Sequence, residues 1–415
     1  MRVVLLSEFF CKNMGYLENM LPKYLARLGV QTHVIATGLR PHSRRDSISA
    51  SYDDFLQPLH PGATETLDGF TLHILRHKKA FGYTRMMGLW ASLKTISPTV
   101  VQTMSVTGWI PLDAALFKLS LGYKLFTGSH HHVSVFPLAQ KAPQVLSAER
   151  LTCALTRGLP GGLVSLATEK CYAISPDCAY VATRFFGVPM RKVQICPLGV
   201  DTDIFYPMST KEDHHARHQL RNQLGFSDSE IVCVYSGRFS EDKNPLILAR
   251  AIHLLRRSKL PFRGLFIGNG PQANEIQKCC GCVIRPFVPV SDLGKFYRAA
   301  EIGVWPTQES MSMLDAAACG LPVVVNHTLS AKELIDGNGV TYTLNDVEDL
   351  VRVLSLLSDL QTRQRLGSLG AIKMSRDFSW EMIAKRRLLE YEAVLSSDVL
   401  LRSKQDARPE RDRVF

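Results

Sequence analysis

Short apolar runs of strand length alternate with longer mixed segments along most of the chain. The first run, Val3–Leu6, is followed by a glycine-containing loop, a helical stretch over about 16–28 and a second apolar run at Thr32–Thr37. Strand, loop, helix and strand in this order predict a βαβ unit that feeds a parallel sheet. Because Pro22 lies inside the helical stretch, we expect the helix either to begin near Leu21 or to kink there.

The same alternation continues to about residue 325. In the first half it predicts a helix over Tyr83–Thr95 and five further strands: Thr71–Leu75, Thr99–Thr103, Tyr123–Thr127, Cys171–Ile174 and Val193–Cys196. A polar segment over about 209–229 then predicts a helix that opens a second series. The strands of this series are predicted at Ile231–Tyr235, Arg263–Ile267, Val283–Ile284, Ile302–Val304 and Pro322–Val325. Two such series predict two doubly wound sheets with a ligand in the cleft between them.

The domain boundaries follow from this pattern. We expect a first Rossmann-like domain over 1–205 and a second over 206–375. A helix over 376–396 should follow, and the highly charged segment 397–415 should form a flexible tail.

The net charge of +11 is unevenly distributed. Residues 1–205 hold 21 Lys and Arg against 13 Asp and Glu, with local concentrations at 76–85 and 184–192. A basic half indicates an anionic partner, such as a membrane surface or a pyrophosphate-linked acceptor, whereas plain solubility is the other interpretation. We expect no nucleic-acid partner. No apolar run reaches the length of a membrane span, and no signal peptide is recognisable. A cytoplasmic protein with peripheral membrane contact is therefore expected.

Several patterns that suggest metal binding have simpler explanations. Ten cysteines are present and the cluster at 279–282 has no second cysteine pair, so buried thiols in a reducing compartment are expected. Consecutive side chains on a strand alternate faces, so His130, His131 and His132 cannot converge on one ion. The Asp201-Thr202-Asp203 sequence is interpreted as a linker turn. We therefore predict no metal site.

Three stretches of the second half combine residue types suited to a nucleotide and a sugar. In the first, Gly237 ends a strand, and Arg238 and Lys243 can converge on a diphosphate before a helix N-terminus. In the second, Gly268 and Gly270 form a turn that exposes backbone N–H groups. Each of these two stretches is weak evidence alone, because solvated cations and tight βα turns are common.

The third stretch is an acidic loop that leads into a helix. Glu309 lies in the loop, Ser310 and Ser312 can help to start the helix, and Asp315 lies within it. Carboxylates and hydroxyls can hydrogen-bond the hydroxyl groups of sugars. A capped helix without a ligand would show the same pattern.

In this order and spacing, the three stretches resemble the C-terminal domain of retaining GT-B glycosyltransferases of family 4, also called group 1. Two segments from the first half and the domain junction resemble the same family: Ser175 with Thr183–Pro189, and Pro197–Pro207. In the second half, Phe287–Leu293 resembles the segment before the acidic loop, and Phe378-Ser379-Trp380 resembles the start of the final helix. The resemblance covers nearly the whole chain but is specific only in the second half. It implies an α/β GT-B fold, in which two facing Rossmann-like domains enclose an interdomain cleft. The first domain, 1–205, would then bind the acceptor and the second, 206–375, the nucleotide sugar. The helix over 376–396 would cross back to the first domain.

The resemblance also implies roles for individual residues. Arg238 and Lys243 would hold the donor diphosphate and stabilise the leaving group, and Glu309 would face the donor sugar. Asp315 would bind the ribose, and His130 would lie close to the transferred sugar. The remaining donor-binding positions are Gly15, Gly237, Gly268, Gly270, Ser310, Met311, Ser312 and Met313.

The chain departs from the family pattern at this site. Five residues separate Glu309 from Asp315, where the family has seven between its two acids. Thr307 occupies the position of the missing first acid, and the second acid is Asp rather than Glu. These changes bear on the identity of the donor sugar.

The function implied by the resemblance is transfer of a sugar from a nucleoside-diphosphate sugar to a hydroxyl of a lipid-linked or glycan acceptor. A UDP-sugar is the favoured donor and GDP-mannose the second. Retention of the anomeric configuration, no metal, no cofactor and no protein general base are also implied, with the donor phosphate taking the acceptor proton. Two alternatives stay open at this point: a GT-B nucleotide-sugar epimerase and a non-catalytic GT-B partner subunit.

Overall fold

The computed structural model describes residues 1–12, 14–39, 59–141, 147–307 and 310–406, with side chains described as far as residue 397. It contains two large sheets. The strands of residues 1–205 are β1 (Arg2–Leu6), β2 (Gln31–Thr37), β3 (Thr64–Leu67), β4 (Phe70–Leu75), β5 (His77–Ala80), β6 (Tyr83–Met86), β7 (Val100–Thr103), β8 (Lys124–Ser129), β9 (Thr168–Ala173) and β10 (Val193–Ile195). Those that follow are β11 (Ile231–Ser236), β12 (Phe262–Ile267), β13 (Cys282–Arg285), β14 (Ile302–Trp305), β15 (Val323–Asn326) and β16 (Gly339–Tyr342).

Helices connect most of the parallel strands. The first half contains α1 (Leu17–Arg27), α2 (Leu89–Ile96), α3 (Trp109–Leu121), α4 (Pro137–Gln140), α5 (Ala148–Cys153), α6 (Leu159–Ala167) and α7 (Pro176–Phe185). The second half contains α8 (Lys211–Leu224), α9 (Pro245–Arg257), α10 (Ala273–Lys278), α11 (Val290–Arg298), α12 (Met311–Ala318), α13 (Val347–Leu356), α14 (Leu360–Asp377) and α15 (Trp380–Asp406). A π-helical turn, Ala154–Gly158, joins α5 to α6, and short 3₁₀ turns lie at Val133–Val135, Met190–Lys192 and Lys332–Leu334.

The first sheet has the strand order β10-β9-β8-β7-β1-β2-β4-β3 and is parallel except for the pairing of β3 with β4. The second has the order β13-β12-β11-β14-β15-β16 and is parallel throughout. Each sheet grows outward in both directions from a central pair, β1 and β7 in the first and β11 and β14 in the second. The strand order reverses at these pairs, where doubly wound folds bind ligands. The predicted α/β GT-B fold is confirmed.

The final helix, α15, returns to the first domain. Its Trp380, Ile383 and Tyr391 are buried in the core formed by β1, β2 and α1. The Val200 N–H donates to the Phe378 carbonyl at 2.8 Å, and the Trp380 N–H donates to the Val200 carbonyl at 2.9 Å. The two passages of the chain between the domains therefore lie side by side. Helix α15 continues to Asp406, beyond the predicted end at 396, so the first part of the segment expected to be a flexible tail is helical.

One local prediction is narrowed to one of its two alternatives, and another is wrong. Helix α1 begins at Leu17 and continues through Pro22, because the Tyr16 carbonyl already accepts hydrogen bonds from the Asn19 and Met20 N–H groups. The alternative start near Leu21 is therefore excluded. The predicted helix over Tyr83–Thr95 is instead strand β6 followed by α2.

The hairpin formed by β5 and β6 explains the second difference. Phe81, Gly82 and Gly88 all have positive φ values, 51°, 76° and 79°, which turn the chain at the hairpin tip and again before α2. Thr84 and Met86 are buried, whereas Tyr83 and Arg85 are partly exposed. This alternation over only four residues was too short to separate a strand from the start of a helix.

Candidate functional site

A cavity of about 200 Å³ lies between the two domains at the central strands of the second sheet. Its lining combines the loop before α1, the C-terminal ends of β11 and β12, the segment that leads from β13 into α11, and the start of α12. The lining residues are Met14, Gly15, Tyr16, Ser236, Gly237, Ile267, Phe287, Val288, Val290, Leu293, Ser310, Met311, Ser312 and Asp315. Six residues predicted for donor binding therefore meet here, namely Gly15, Gly237, Ser310, Met311, Ser312 and Asp315. We refer to this space as the interdomain cavity.

Two of the predicted glycines shape the loop that borders the interdomain cavity. The Phe239 N–H donates to the Asn269 carbonyl at 2.9 Å, and the Gln272 N–H donates to the Phe239 carbonyl at 3.0 Å. A Cβ at Gly268 would lie 2.0 Å from the Gly237 carbonyl oxygen, and one at Gly270 would lie 2.6 Å from the Phe239 carbonyl oxygen. These glycines therefore let two loops pack backbone against backbone, and they do not themselves line the cavity as it is described.

A network of hydroxyl groups forms the floor of the interdomain cavity. The Ser236 and Tyr297 hydroxyls are 2.6 Å apart, and the Ser310 and Ser312 hydroxyls are 2.8 Å apart. The Trp305 indole N–H donates to Ser312 Oγ at 3.0 Å. Because these groups are fixed by buried partners, they present polar atoms to the cavity in defined positions.

Asp315 is the carboxylate of this floor. It is 8% exposed, and burial raises the pKa of its carboxyl well above the usual range, with the negative charge of Asp201 adding to the effect. A carboxyl group that keeps its proton can donate one hydrogen bond and accept others. That combination suits a diol such as that of a ribose.

Arg238 and Lys243 lie in the loop between β11 and α9. Arg238 Nη2 is 3.1 Å from Asp242 Oδ2. Although burial opposes it, a hydrogen bond from Ser240, together with the charges of Arg238 and Lys243, lowers the pKa of Asp242. The loop therefore holds two cations around one carboxylate of its own, and neither cation is part of the described lining of the interdomain cavity.

Two further predicted residues contribute differently. Met313 is 1% exposed, and its side chain packs in the core of the second domain. Glu309, the predicted acid facing the donor sugar, lies outside the described residues. The roles of these two positions stay predictions.

A second, larger cavity of about 390 Å³ lies in the first domain, at the C-terminal ends of β1 and β7. His130 lines it, as do Glu8, Glu18, His131 and Arg157. Burial lowers the pKa of His130 to about 4, with the charges of His131 and Arg387 contributing. The imidazole is therefore neutral near pH 7 and can accept a hydrogen bond from a hydroxyl. We refer to this space as the first-domain cavity.

Glu18 was not identified by the sequence analysis. It is 6% exposed on α1, and burial raises the pKa of its carboxyl to about 7. The signal in the sequence was a single acid within an otherwise largely apolar helical stretch, at a position facing the core. Glu8, two residues after the end of β1, accepts a hydrogen bond from the Thr84 hydroxyl and was also missed.

The two acids of the Asp201-Thr202-Asp203 turn are engaged by α1. Asp201 accepts hydrogen bonds from Lys23 Nζ at 2.6 Å and from the Tyr24 hydroxyl at 2.8 Å. Asp203 pairs with Arg27 at 2.7 Å. This geometry agrees with a linker turn. Within the described ranges, no group of three or more His, Cys, Asp or Glu side chains could hold a metal ion.

A comparison with known protein families gives a match in the second domain. Residues 230–359 match the family model of the group 1 glycosyl transferases, and this stretch contains the loops around Gly237, Gly268 and Ser310. The matched stretch lies entirely within the second domain. The resemblance stated from the motifs is thereby confirmed.

Related proteins align with part of the chain. A D-inositol 3-phosphate glycosyltransferase of Xylanimonas cellulosilytica is 30% identical over 242 residues, which are 55% of this chain and 58% of that protein. Spore coat protein SA of Bacillus subtilis is 26% identical over 53% of this chain and 63% of its own length. The chain therefore aligns with less than two thirds of the length of these relatives.

Solved structures match nearly the whole chain in fold. Sucrose-phosphate synthase of Thermosynechococcus elongatus superposes with a TM-score of 0.68 at 16% identity, covering 96% of this chain and all of that one. HepE of Anabaena, solved with UDP and glucose, superposes with a TM-score of 0.65 at 15% identity over 94% of this chain and 99% of its own. Both domains of the GT-B fold are thus present around the group 1 motifs.

Proposed function

We propose that the protein is a retaining glycosyltransferase that moves a sugar from a nucleoside-diphosphate sugar to a hydroxyl of a lipid-linked or glycan acceptor. The observation that carries the proposal is the convergence of loops from both domains on the interdomain cavity. Gly15 approaches from the first domain, and Gly237, Ser312 and Asp315 approach from the second. A donor bound there would be held by both halves of a GT-B fold.

The proposed donor site uses the group 1 motifs. Asp315 binds the ribose, and the loop bearing Arg238 and Lys243 turns its cations from Asp242 to the donor diphosphate. The positive charges and the N-terminus of α9 stabilise the leaving diphosphate as the glycosidic bond breaks. A UDP-sugar is the favoured donor. Support comes from HepE, which was solved with UDP, whereas a relative from Mycolicibacterium smegmatis is named as GDP-mannose-dependent.

The proposed acceptor site is the first-domain cavity. Neutral His130 and His131 offer hydrogen-bond acceptors for sugar hydroxyls, and Arg157 offers a cation for a phosphate. A phosphate-linked or glycan acceptor fits this combination. The reaction retains the anomeric configuration, and the donor phosphate takes the acceptor proton, so that no protein group acts as general base.

The first experiment measures thermal stabilisation by UDP, GDP, ADP and dTDP. A ligand present at about 100 times its dissociation constant adds about 2.7 kcal/mol to the native state, which is readily seen as a shift in Tm. We expect one nucleotide to stabilise the wild type, and Arg238→Ala to lose most of the shift. Arg250→Ala, an exposed arginine on α9, is the matched control and should keep it. Equal shifts in both variants would remove Arg238 from the site.

A transfer assay then separates the remaining alternatives. Sugar transfer to an acceptor extract supports the proposed reaction, interconversion of a nucleotide sugar without acceptor indicates an epimerase, and nucleotide binding with neither activity indicates a partner subunit. Activity should persist in EDTA. A strict requirement for a divalent metal would overturn the proposed leaving-group stabilisation by Arg238 and Lys243.

A further inference from the structure

Five leucines form one line along the outside of the segment that runs through α5, the π-helical turn and α6. They follow one another at intervals of four, four, four and three residues, and each is more than half exposed: Leu151, Leu155, Leu159, Leu163 and Leu166. Intervals of three and four place side chains on one face of a helix. Five large apolar side chains on one exposed face are not explained by packing within the described chain.

Helix α3 extends this apolar line sideways. It packs against α6 and presents Leu116 and Leu119 to solvent, with Leu119 85% exposed. On its other side, the Trp90 indole N–H of α2 donates to the Ser120 hydroxyl at 3.3 Å, and Lys94 Nζ lies 4.8 Å from the centre of the Trp90 ring. We call the five leucines together with Leu116 and Leu119 the leucine face.

The leucine face cannot turn inward by a simple rotation of its helix. Cys153 and Val164 on the opposite side are buried in the core beneath. A Cβ at Gly161 would lie 2.0 Å from the Phe186 carbonyl oxygen, and one at Gly187 would lie 2.3 Å from the Gly158 carbonyl oxygen. Because backbone meets backbone on the inner side, the outward direction of the leucines is fixed.

The charges around the leucine face are strongly biased. Residues 109–195 contain 9 Lys and Arg and 4 Asp and Glu. All four acids already face a basic side chain. Their pairs are Asp113 with Arg85, Glu149 with Lys141, Glu169 with Lys118, and Asp177 with His132.

Two exposed arginines of the same region are not neutralised in this way. Arg184 and Arg191 are exposed, and neither forms an ion pair with any residue that the structure describes. Lys192 Nζ donates to the Ser165 and Thr168 carbonyls at 2.7 and 2.6 Å, which places the 190–192 turn beside the end of α6. Arg184 directly precedes the Phe185–Gly187 stretch, whose backbone packs against Gly158 and Gly161, so both arginines lie next to the segment that carries the leucines. Exposed leucines with unneutralised arginines beside them are complementary to a bilayer that has anionic headgroups.

We propose that the leucine face docks the first domain onto an anionic lipid bilayer. The leucines enter the boundary between headgroups and acyl chains, and Arg184 and Arg191 contact the phosphates. No helix among the described residues is long and apolar enough to cross a membrane. Because the exposed leucines line one side of their helices, the docking is lateral, with the helices lying along the surface.

This inference deepens the proposed function, because Arg157 lies on the same segment and also lines the first-domain cavity. Docking would thus bring the acceptor site next to lipid-linked substrates. Only that consequence rests on the proposed function. Docking itself requires neither nucleotide nor transfer, so vesicle binding and nucleotide binding can fail separately.

The experiment is cosedimentation of the full chain with vesicles of phosphatidylcholine plus phosphatidylglycerol and with vesicles of phosphatidylcholine alone. The test variant is Leu155→Gln with Leu159→Gln and Leu163→Gln. The control variant is Leu356→Gln with Leu360→Gln and Ile372→Gln, three similarly exposed apolar residues of the second domain. We expect the test variant to lose about tenfold or more of the binding to anionic vesicles. We expect the control variant to keep it.

Two measurements make the outcome decisive. The thermal unfolding of both variants shows whether they are folded, and light scattering reports the oligomeric state of the wild type. Equal vesicle binding by both folded variants would overturn the proposal. So would a wild type that fails to bind vesicles but forms a dimer that the test variant abolishes, since the face would then be a contact between two copies.

A charge variant tests the electrostatic half independently. Arg184→Glu with Arg191→Glu changes no buried residue, so it should fold even if the leucine variant does not. Its binding to anionic vesicles should fall severalfold, and that of the wild type should weaken as salt rises. Binding that is equal for anionic and neutral vesicles, or unchanged in this variant, would contradict an anionic bilayer as the partner.

Discussion

The two domains contribute to the same cleft in different ways. In the second domain, the loops after β11 and β12 pack backbone against backbone, and glycines make this contact possible. In the first domain, the cavity is formed largely by side chains such as Glu8, Glu18 and His130. Close backbone contacts permit only glycine at certain positions of a domain. A cavity lined by side chains can be formed by many different combinations of residues. The difference accounts for a family resemblance that is specific only in the second half.

The largest expected effect concerns the side chains that join α15 to the first domain. Arg387 is 3% exposed, donates to Gln102 Oε1 at 2.6 Å and stacks on the Tyr172 ring at 3.2 Å. Arg387→Ala leaves Gln102 with fewer partners and opens a cavity, so it should cost about 4 kcal/mol of unfolding free energy. Chemical denaturation measures the loss.

The matched control for Arg387 is Leu389→Ala on the same helix. Leu389 is 65% exposed, and its truncation should cost less than about 0.5 kcal/mol. Similar costs for both variants would show that side-chain contacts of α15 do not hold the first domain together.

A substitution at Gly268 tests the backbone contact between the loops after β11 and β12 in the second domain. Its φ of 146° and the short distance from a Cβ to the Gly237 carbonyl leave no room for a methyl group. Gly268→Ala should cost about 3 kcal/mol and weaken nucleotide binding, because the loop carrying Arg238 must move. Denaturation and the thermal response to UDP measure the two effects.

Gly225→Ala is the control for this glycine. Gly225 also has a positive φ, 73°, but nothing lies within 4 Å of its Cβ position. The expected cost is about 1 kcal/mol, with nucleotide binding unchanged. If the two alanine variants behave alike, backbone conformation and not loop packing accounts for Gly268.

The pH dependence of the unfolding free energy tests the burial of Glu18 in the first domain, where side chains form the cavity. Its folded-state pKa of about 7 lies above the ordinary value of 4.5, so the folded protein holds the proton more tightly than the unfolded chain. The contribution of Glu18 to stability is complete below about pH 4.5 and is lost as pH rises through 7. Glu18→Gln should remove this loss, which is on the order of 3 kcal/mol.

The readout is the difference in unfolding free energy between wild type and Glu18→Gln across this pH window. The difference is needed because His130 and His131, whose pKa values are lowered to about 4, titrate over an overlapping range. Glu212→Gln, at an exposed position of α8, is the control for the exchange of a glutamate for a glutamine. A flat difference for Glu18→Gln would mean that the carboxyl is solvated in the folded protein.

The smallest effect is expected at the hairpin of the first domain. Lys78 and Lys79 are exposed on β5, and Phe81 at the hairpin tip is 91% exposed. Charge reversal at both lysines should lower binding to anionic vesicles, by about 1 kcal/mol for each positive charge removed at the surface. Reversal of Lys278 and Lys295 in the second domain is the control. Unchanged binding in both would restrict membrane contact to the leucine face.

The sequence predicted the sheet architecture because buried parallel strands leave apolar runs of recognisable length. It also predicted that Gly237, Ser312 and Asp315 would meet, since their motifs follow neighbouring strands. Strand β6 was missed because Thr84 and Met86 give only two buried positions. The first-domain cavity was mostly missed because a buried Glu18 differs from a solvated acid only in its environment, which depends on residues distant in sequence.

The pairing of the two interdomain passages at Val200 and Phe378 has a mechanical consequence. Adjacent backbone segments joined by hydrogen bonds resist being pulled apart or slid past one another, but they twist together readily. We therefore expect the domains to move relative to each other mainly by rotation about an axis along the paired segments. Points far from Val200 travel furthest in such a rotation. The outer margin of the cleft would therefore open widely, whereas positions next to Val200 and Phe378 would keep their spacing.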